Sequence, residues 1–144
     1  MQKVIALYAA ANRGKTTTLR KLIELLSHIS DNYEIYQSSE CWAYFEIKGK
    51  KVVVCTPGDS KEVIKDNIKY AKKPECDIFV TATRTRGETT DEIQRFINKE
   101  KTKLIWVKKE NNKLNNNLLA ANLFAFIIKS CDFDFESFIY NGNE

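Results

Sequence analysis

The chain has 144 residues, 43% of them hydrophobic and 29% charged, with a formal net charge of +4; that length suits one domain with a helix-covered sheet and leaves no room for a second. Lys and Arg are spread along the chain rather than gathered in a tail, so no nucleic-acid arm is expected. Four cysteines without a C-x-x-C pair and a single histidine exclude zinc-ligand spacing and point to reduced core thiols in a cytoplasmic protein.

Lys3-Val4-Ile5-Ala6-Leu7-Tyr8 is a short apolar run suited to a strand buried on both faces, and too short for a signal-peptide core. It leads into Ala9-Ala10-Ala11-Asn12-Arg13-Gly14-Lys15-Thr16-Thr17-Thr18. Ala9, four residues, then Gly14-Lys15-Thr16 follow the phosphate-loop pattern G-x-x-x-x-G-K-[ST], with Ala in place of the first Gly. Leu19, Leu22, Ile23, Leu26 and Ile29 then recur at helical spacing. Strand, loop, helix is the order that lets turn N–H groups and the positive end of a helix face one anion. The competing reading is a buried strand-to-helix turn that happens to contain G-K-T.

The segment A-A-A-N-R-G-K-T-T-T-L resembles the P-loop NTPase superfamily. The resemblance implies nucleotide-binding positions at Ala11, Asn12, Arg13, Gly14, Lys15, Thr16 and Thr17. Lys15 would bridge the outer phosphates, the Thr16 hydroxyl would bind Mg²⁺, and Thr17 would touch the inner phosphate. Asn12 tolerates left-handed backbone geometry, which so tight a loop can require. Arg13 either reaches a phosphate or points into solvent.

Further along, Ser30-Asp31-Asn32 breaks the helix and an alternating strand follows from Tyr33. Strands over 42–48 and 51–55 flank a Gly49-Lys50 turn, an antiparallel hairpin beside an otherwise parallel sheet, as in Ras-like GTPases. Val52-Val53-Val54-Cys55-Thr56-Pro57-Gly58-Asp59 resembles the hydrophobic strand and D-T-P-G turn of GTPases, with Cys55 where the metal-organising Asp would stand. Mg²⁺ would then depend on Thr16, nucleotide oxygens, water and Asp59, while the Gly58 N–H would meet a terminal phosphate. Asp59 has a second reading as the cap of the next helix, in Asp59-Ser60-Lys61-Glu62.

That helix, over 60–72, carries Val63, Ile64, Ile68 and Ala71 on one face. The strand over 77–82 begins with Asp77, at the end away from the carboxyl edge where ligands gather. Arg84 and Arg86 lie at the opposite end and would clamp phosphate; alternatively they belong to a solvated loop in which Thr89-Thr90-Asp91-Glu92 caps the next helix. After a strand over 104–107, Lys108-Lys109-Glu110-Asn111 lacks the guanine-reading N-K-x-D and reads as a solvated charge run, so ATP is preferred to GTP. The Asn-rich stretch 111–117 reads as a loop. Residues 118–128, from Leu118 past Asn122 to Ile128, are too few to span a bilayer and read as a helix that is buried, or that meets a second copy or another protein. Phe133-Asp134-Phe135 and Phe138-Ile139-Tyr140 suggest a last strand, similar to that of several P-loop kinases.

The expectation is therefore a three-layer α/β sandwich of P-loop NTPase fold over 1–144, its sheet mostly parallel with an antiparallel hairpin. It would bind a nucleoside triphosphate with Mg²⁺. Three functions compete. A slow NTPase or nucleotide switch would use Lys15, Asp59, Arg84 and Arg86 on the transferring phosphoryl group, with Gly58 sensing it. A small-molecule kinase would need an acceptor pocket near Ser38, Ser39 and Glu40. A nucleotide-binding interaction module would not turn its ligand over.

Overall fold

A computed structural model describes residues 1–9, 14–109 and 114–134. In chain order these form β1 (Lys3–Tyr8), α1 (Lys15–Ile29), β2 (Asn32–Gln37), β3 (Cys41–Ile47), β4 (Lys50–Cys55), α2 (Lys61–Lys72), β5 (Ile78–Thr83), α3 (Glu88–Glu100), β6 (Lys103–Lys108) and α4 (Leu114–Ser130). The described strands make one mixed sheet in the order β2-β3-β4-β5-β1-β6. β4, β5, β1 and β6 run parallel, and β2, β3 and β4 pair antiparallel.

Alternation along the strands divides the core in two. Ile5, Leu7, Val52, Val54, Val80 and Ala82 face α1 and α4, where Leu19, Leu22, Leu26, Leu123 and Ile127 meet them. Val4, Val53, Cys55 and Phe79 face α2 and α3, against Ile64, Ala71, Ile93 and Ile97. Helices thus cover both faces of the sheet. Burial of Leu19, Leu22 and Leu26 stabilises α1 by about 1.5–3 kcal/mol per side chain. The four cysteines are free and buried.

Several local expectations shift. The β3–β4 turn uses Lys48 (φ 51°) and Gly49 (φ 77°), one residue earlier than the Gly49-Lys50 reading, because a two-residue hairpin of this hand needs two consecutive positive φ values. α2 is capped by Ser60, whose Oγ accepts from the Val63 N–H at 3.2 Å; Asp59 lies one residue too early to cap it. α3 starts at Glu88, directly after Gly87 (φ 97°), so Thr89 already lies in its first turn and the expected Thr-x-x-Glu box does not form. Asn115, Asn116 and Asn117 belong to α4 rather than to a loop. Phe133 and Asp134 are not in a strand, and the rest of the last-strand expectation, with residues 111–113 of the loop, lies outside the described residues. α4 buries Ala120, Leu123 and Ile127 while Leu118 and Phe126 remain exposed. No helix among the described residues is long and apolar enough to cross a membrane.

Candidate functional site at the carboxyl edge of the sheet

The parallel register pairs Tyr8 at the end of β1 with Thr83 at the end of β5. Chain following both strands must leave over the same rim, which also receives the turn after β4 and the β2–β3 turn. α1 starts at this rim, preceded by Gly14 in left-handed geometry (φ 87°, ψ 17°). A side chain at Gly14 would be strained by that φ, and its Cβ would stand 2.9 Å from Asn116 Oδ1.

Lys15 occupies the centre. Its Nζ donates to the Thr83 carbonyl at 2.8 Å and the Ala9 carbonyl at 3.1 Å, which ties the start of α1 across the ends of β1 and β5. Asp59 Oδ1 lies 3.7 Å from Lys15 Nζ and 3.7 Å from Arg84 Nε. The Lys15 side chain is 8% exposed, against 64% for Asp59 and 50% for Arg84. Water therefore screens both ion pairs, and their worth in stability is small. Burial holds the Lys15 ammonium below the usual lysine range; Arg84 pushes the same way, while Asp59 and Glu40 oppose it.

Arg84 is set by its backbone, whose N–H donates to Thr89 Oγ1 at 3.0 Å. Arg86, two residues on, is exposed, and so is Thr17. Both arginines are exposed, and they differ in partner: Arg84 Nε lies 3.7 Å from Asp59, so Arg84 joins the cluster from a solvent-facing loop. Gly58 is held for a steric reason, since a Cβ there would lie 2.2 Å from the Ala82 carbonyl oxygen. Ala11, Asn12 and Arg13 lie outside the described residues.

A second group forms beside Lys15. Thr16 Oγ1 donates to the Glu40 carboxylate, 3.2 Å from Oε1 and 3.4 Å from Oε2. Thr56 Oγ1 also donates to Glu40 Oε2 and accepts from the Cys41 N–H at 2.8 Å. Cys55 points the other way, among Val4, Val53, Ile64 and Phe79, and its thiol is driven well up by burial. A carboxylate at position 55 would enter an apolar core, so Cys55 does not stand at the place facing Thr16; Thr56 does. The strand's own period of two carried that signal. Ser38 and Ser39, near the acceptor pocket expected of a kinase, present their carbonyls to Arg20 at 3.4 and 2.6 Å.

One polar residue, Asn67, escapes the sequence reading, and another, Lys109, departs from it. Asn67 lies on the apolar stripe of α2, three residues after Ile64, and is fully buried. It donates to the Pro57 carbonyl (2.8 Å) and Thr81 Oγ1 (3.2 Å) and accepts from Trp42 Nε1 (3.0 Å), which fastens the turn after β4. Lys109, expected in a solvated run, is 3% exposed, and its N–H donates to the Tyr8 carbonyl at 2.9 Å. Asp77, as expected, lies at the far rim, where its carboxylate accepts from the Lys51 N–H at 2.8 Å. A cavity of about 380 Å³ lined by Tyr36, Tyr44, Lys51, Tyr70 and Lys73 also lies toward that far rim, away from Lys15.

For a metal, no group of three or more His, Cys, Asp or Glu side chains exists among the described residues. One carboxylate with two hydroxyls, all hard oxygen donors, cannot cage a cation alone. They are the type of donor that Mg²⁺ takes alongside water. No family model, curated protein or solved structure matches this chain.

Proposed function

We propose that this protein is a P-loop NTPase-like domain that binds a nucleoside triphosphate with Mg²⁺ and hydrolyses it slowly, acting as a nucleotide-dependent switch. One observation carries the reading. Lys15, at the first position of a 15-residue helix after a buried parallel strand, shares one rim with Thr16, Asp59 and Arg84. The A-x-x-x-x-G-K-T pattern then has the strand, helix start and cationic neighbours that phosphate binding requires. ATP is the favoured nucleotide, because nothing in 108–111 reads guanine.

In this reading Asp59 neutralises Lys15 and Arg84 until a polyphosphate replaces it as their counter-anion. Lys15 and Arg84 then meet the outer phosphates, and the Gly58 N–H lies near the terminal one. The Thr16 hydroxyl would hold Mg²⁺, with the Glu40 carboxylate behind it, and the ion when bound would neutralise charge developing on the phosphate oxygens. Asp59, once displaced from the cations, would be available to the metal's water shell, and Arg86 is left with a peripheral role.

The test combines binding and turnover. Titration of fluorescent ATP and GTP analogues should give saturable, Mg²⁺-assisted binding that disappears in Lys15→Ala. Phosphate release should be slow and fall at least about tenfold in Arg84→Ala, against less than about threefold in Arg86→Ala. A folded wild-type protein that binds neither nucleotide at millimolar concentration would refute the proposal.

A further inference from the structure

The carboxylate that a cation beside Thr16 requires cannot come from the end of β4, because Cys55 faces the opposite, apolar side of the sheet. It can come from the β2–β3 turn. We infer that Glu40 is the metal-organising carboxylate of this protein, acting through the Thr16 hydroxyl from a strand turn rather than from the end of β4. The inference rests on the nucleotide-binding reading and names the residue that sets its Mg²⁺ dependence.

Three features support the role. The turn is braced before any ligand arrives: the Ser38 N–H donates to the Glu40 carbonyl at 2.9 Å, and Arg20 of α1 donates to the Ser39 carbonyl at 2.6 Å. Next door, the backbones of Cys41 and Thr56 are bonded, Thr56 N–H to Cys41 carbonyl at 2.9 Å. Glu40 is thereby held against the end of β4 and the start of α1 together.

The second feature is proton direction. Thr56 Oγ1 accepts from the Cys41 N–H, so its own hydrogen is left for an acceptor, and Glu40 is nearer than the Cys41 carbonyl at 3.4 Å. Thr16 likewise sends its hydrogen to Glu40. A hydroxyl whose hydrogen is committed to a carboxylate turns its lone pairs elsewhere, which is the orientation a cation needs. Outer-shell acceptors of this kind raise ligand basicity and fix ligand direction.

The third is the partition of charge along the rim. Asp59 is engaged by Lys15 and Arg84, whereas the Glu40 carboxylate is engaged by two neutral hydroxyls. One acid balances the cations that receive phosphate; the other is placed to balance a metal. Glu40 is accordingly a positioning residue for Thr16 and the metal's water shell.

The decisive measurement is nucleotide affinity with saturating Mg²⁺ and in excess chelator, together with Mn²⁺ binding followed by electron paramagnetic resonance with a non-hydrolysable ATP analogue. In Glu40→Gln Mn²⁺ affinity should fall about 10–100-fold, while nucleotide affinity in chelator, where no metal takes part and one negative charge has been removed, should not fall. Thr56→Val, which removes one anchor of Glu40 without touching Thr16, should lower Mn²⁺ affinity several-fold and is the fallback if Glu40→Gln unfolds. Unchanged Mn²⁺ affinity in the folded variants would overturn the role of Glu40 and leave nucleotide binding standing. Wild-type protein that binds nucleotide equally with and without Mg²⁺ would also overturn it. Wild type that binds no nucleotide at all would remove the underlying reading as well.

Discussion

Lys15 carries a burial cost, and the binding role proposed for it would have the opposite pH signature. Its ammonium titrates below the ordinary lysine range because burial penalises the charge, with Arg84 adding to the effect and Asp59 and Glu40 offsetting part of it. Between the folded and unfolded values the unfolded chain binds more protons, so this residue's contribution makes the unfolding free energy rise with pH through that window. Polyphosphate binding runs the other way, since the anion meets the ammonium. Affinity for a fluorescent nucleotide should therefore fall as pH rises through the lowered value, and that fall should be absent in Lys15→Arg, which stays charged. A titration series from neutral to alkaline pH on both proteins checks it. Gly58 has a steric role that is separate from phosphate. A Cβ there meets the Ala82 backbone at 2.2 Å and 2.4 Å, so Gly58→Ala should cost about 2–3 kcal/mol in denaturant unfolding even without nucleotide. A stability within about 0.5 kcal/mol of wild type would show that the turn can move away from β5.

The second helix is more than a cover for the sheet. Its Asn67 replaces an apolar residue on the buried stripe and meets Trp42, Pro57 and Thr81 on three separate segments. Removing the amide takes a donor from the buried Pro57 carbonyl and from Thr81 Oγ1, and an acceptor from the partly buried Trp42 N–H. Asn67→Ala should destabilise by about 2–3 kcal/mol and should weaken nucleotide binding more than Ile68→Ala does, because Asn67 holds the turn that carries Gly58 and Asp59. Equilibrium unfolding and nucleotide titration of the two variants give the comparison. At this same scale the helices and strands were largely legible in the chain: Leu19, Leu22, Ile23 and Leu26 recur at helical spacing in α1, and the strand expected over 42–48 is found at Cys41–Ile47, where the alternation appears in burial rather than in residue type. Helix starts were less legible. Asp59 and Ser60 are both good caps, and only the observed bond from Val63 N–H to Ser60 Oγ separates them. The Asn-rich start of α4 contradicts propensity, and packing of Leu123 and Ile127 on α1 outweighs it.

For the whole molecule, ligand binding and folding are linked. If the rim binds nucleotide only in the folded state, nucleotide at about 100 times its dissociation constant should stabilise the protein by about 2.7 kcal/mol, a rise in Tm of about 5–10 °C for a chain of this size. Lys15→Ala should abolish that rise, and calorimetry with and without nucleotide and Mg²⁺ measures both. The sequence by itself determined the pieces that depend on neighbours along the chain: the buried strand before Ala9, the helix that begins at Lys15, and the position of Arg84 just beyond another buried strand. Only the tertiary structure decided which pieces meet. β5 lies between β4 and β1, so the turn after β4 reaches Lys15 across an intervening strand. Glu40 and Thr16, 24 residues apart, come together because the β2–β3 turn folds back onto the rim from which α1 departs. Periodicity can say which face of its own element a side chain takes, but strand order and the facing of distant turns are set by burying two apolar faces at once. That condition belongs to the assembled sheet rather than to any window of sequence.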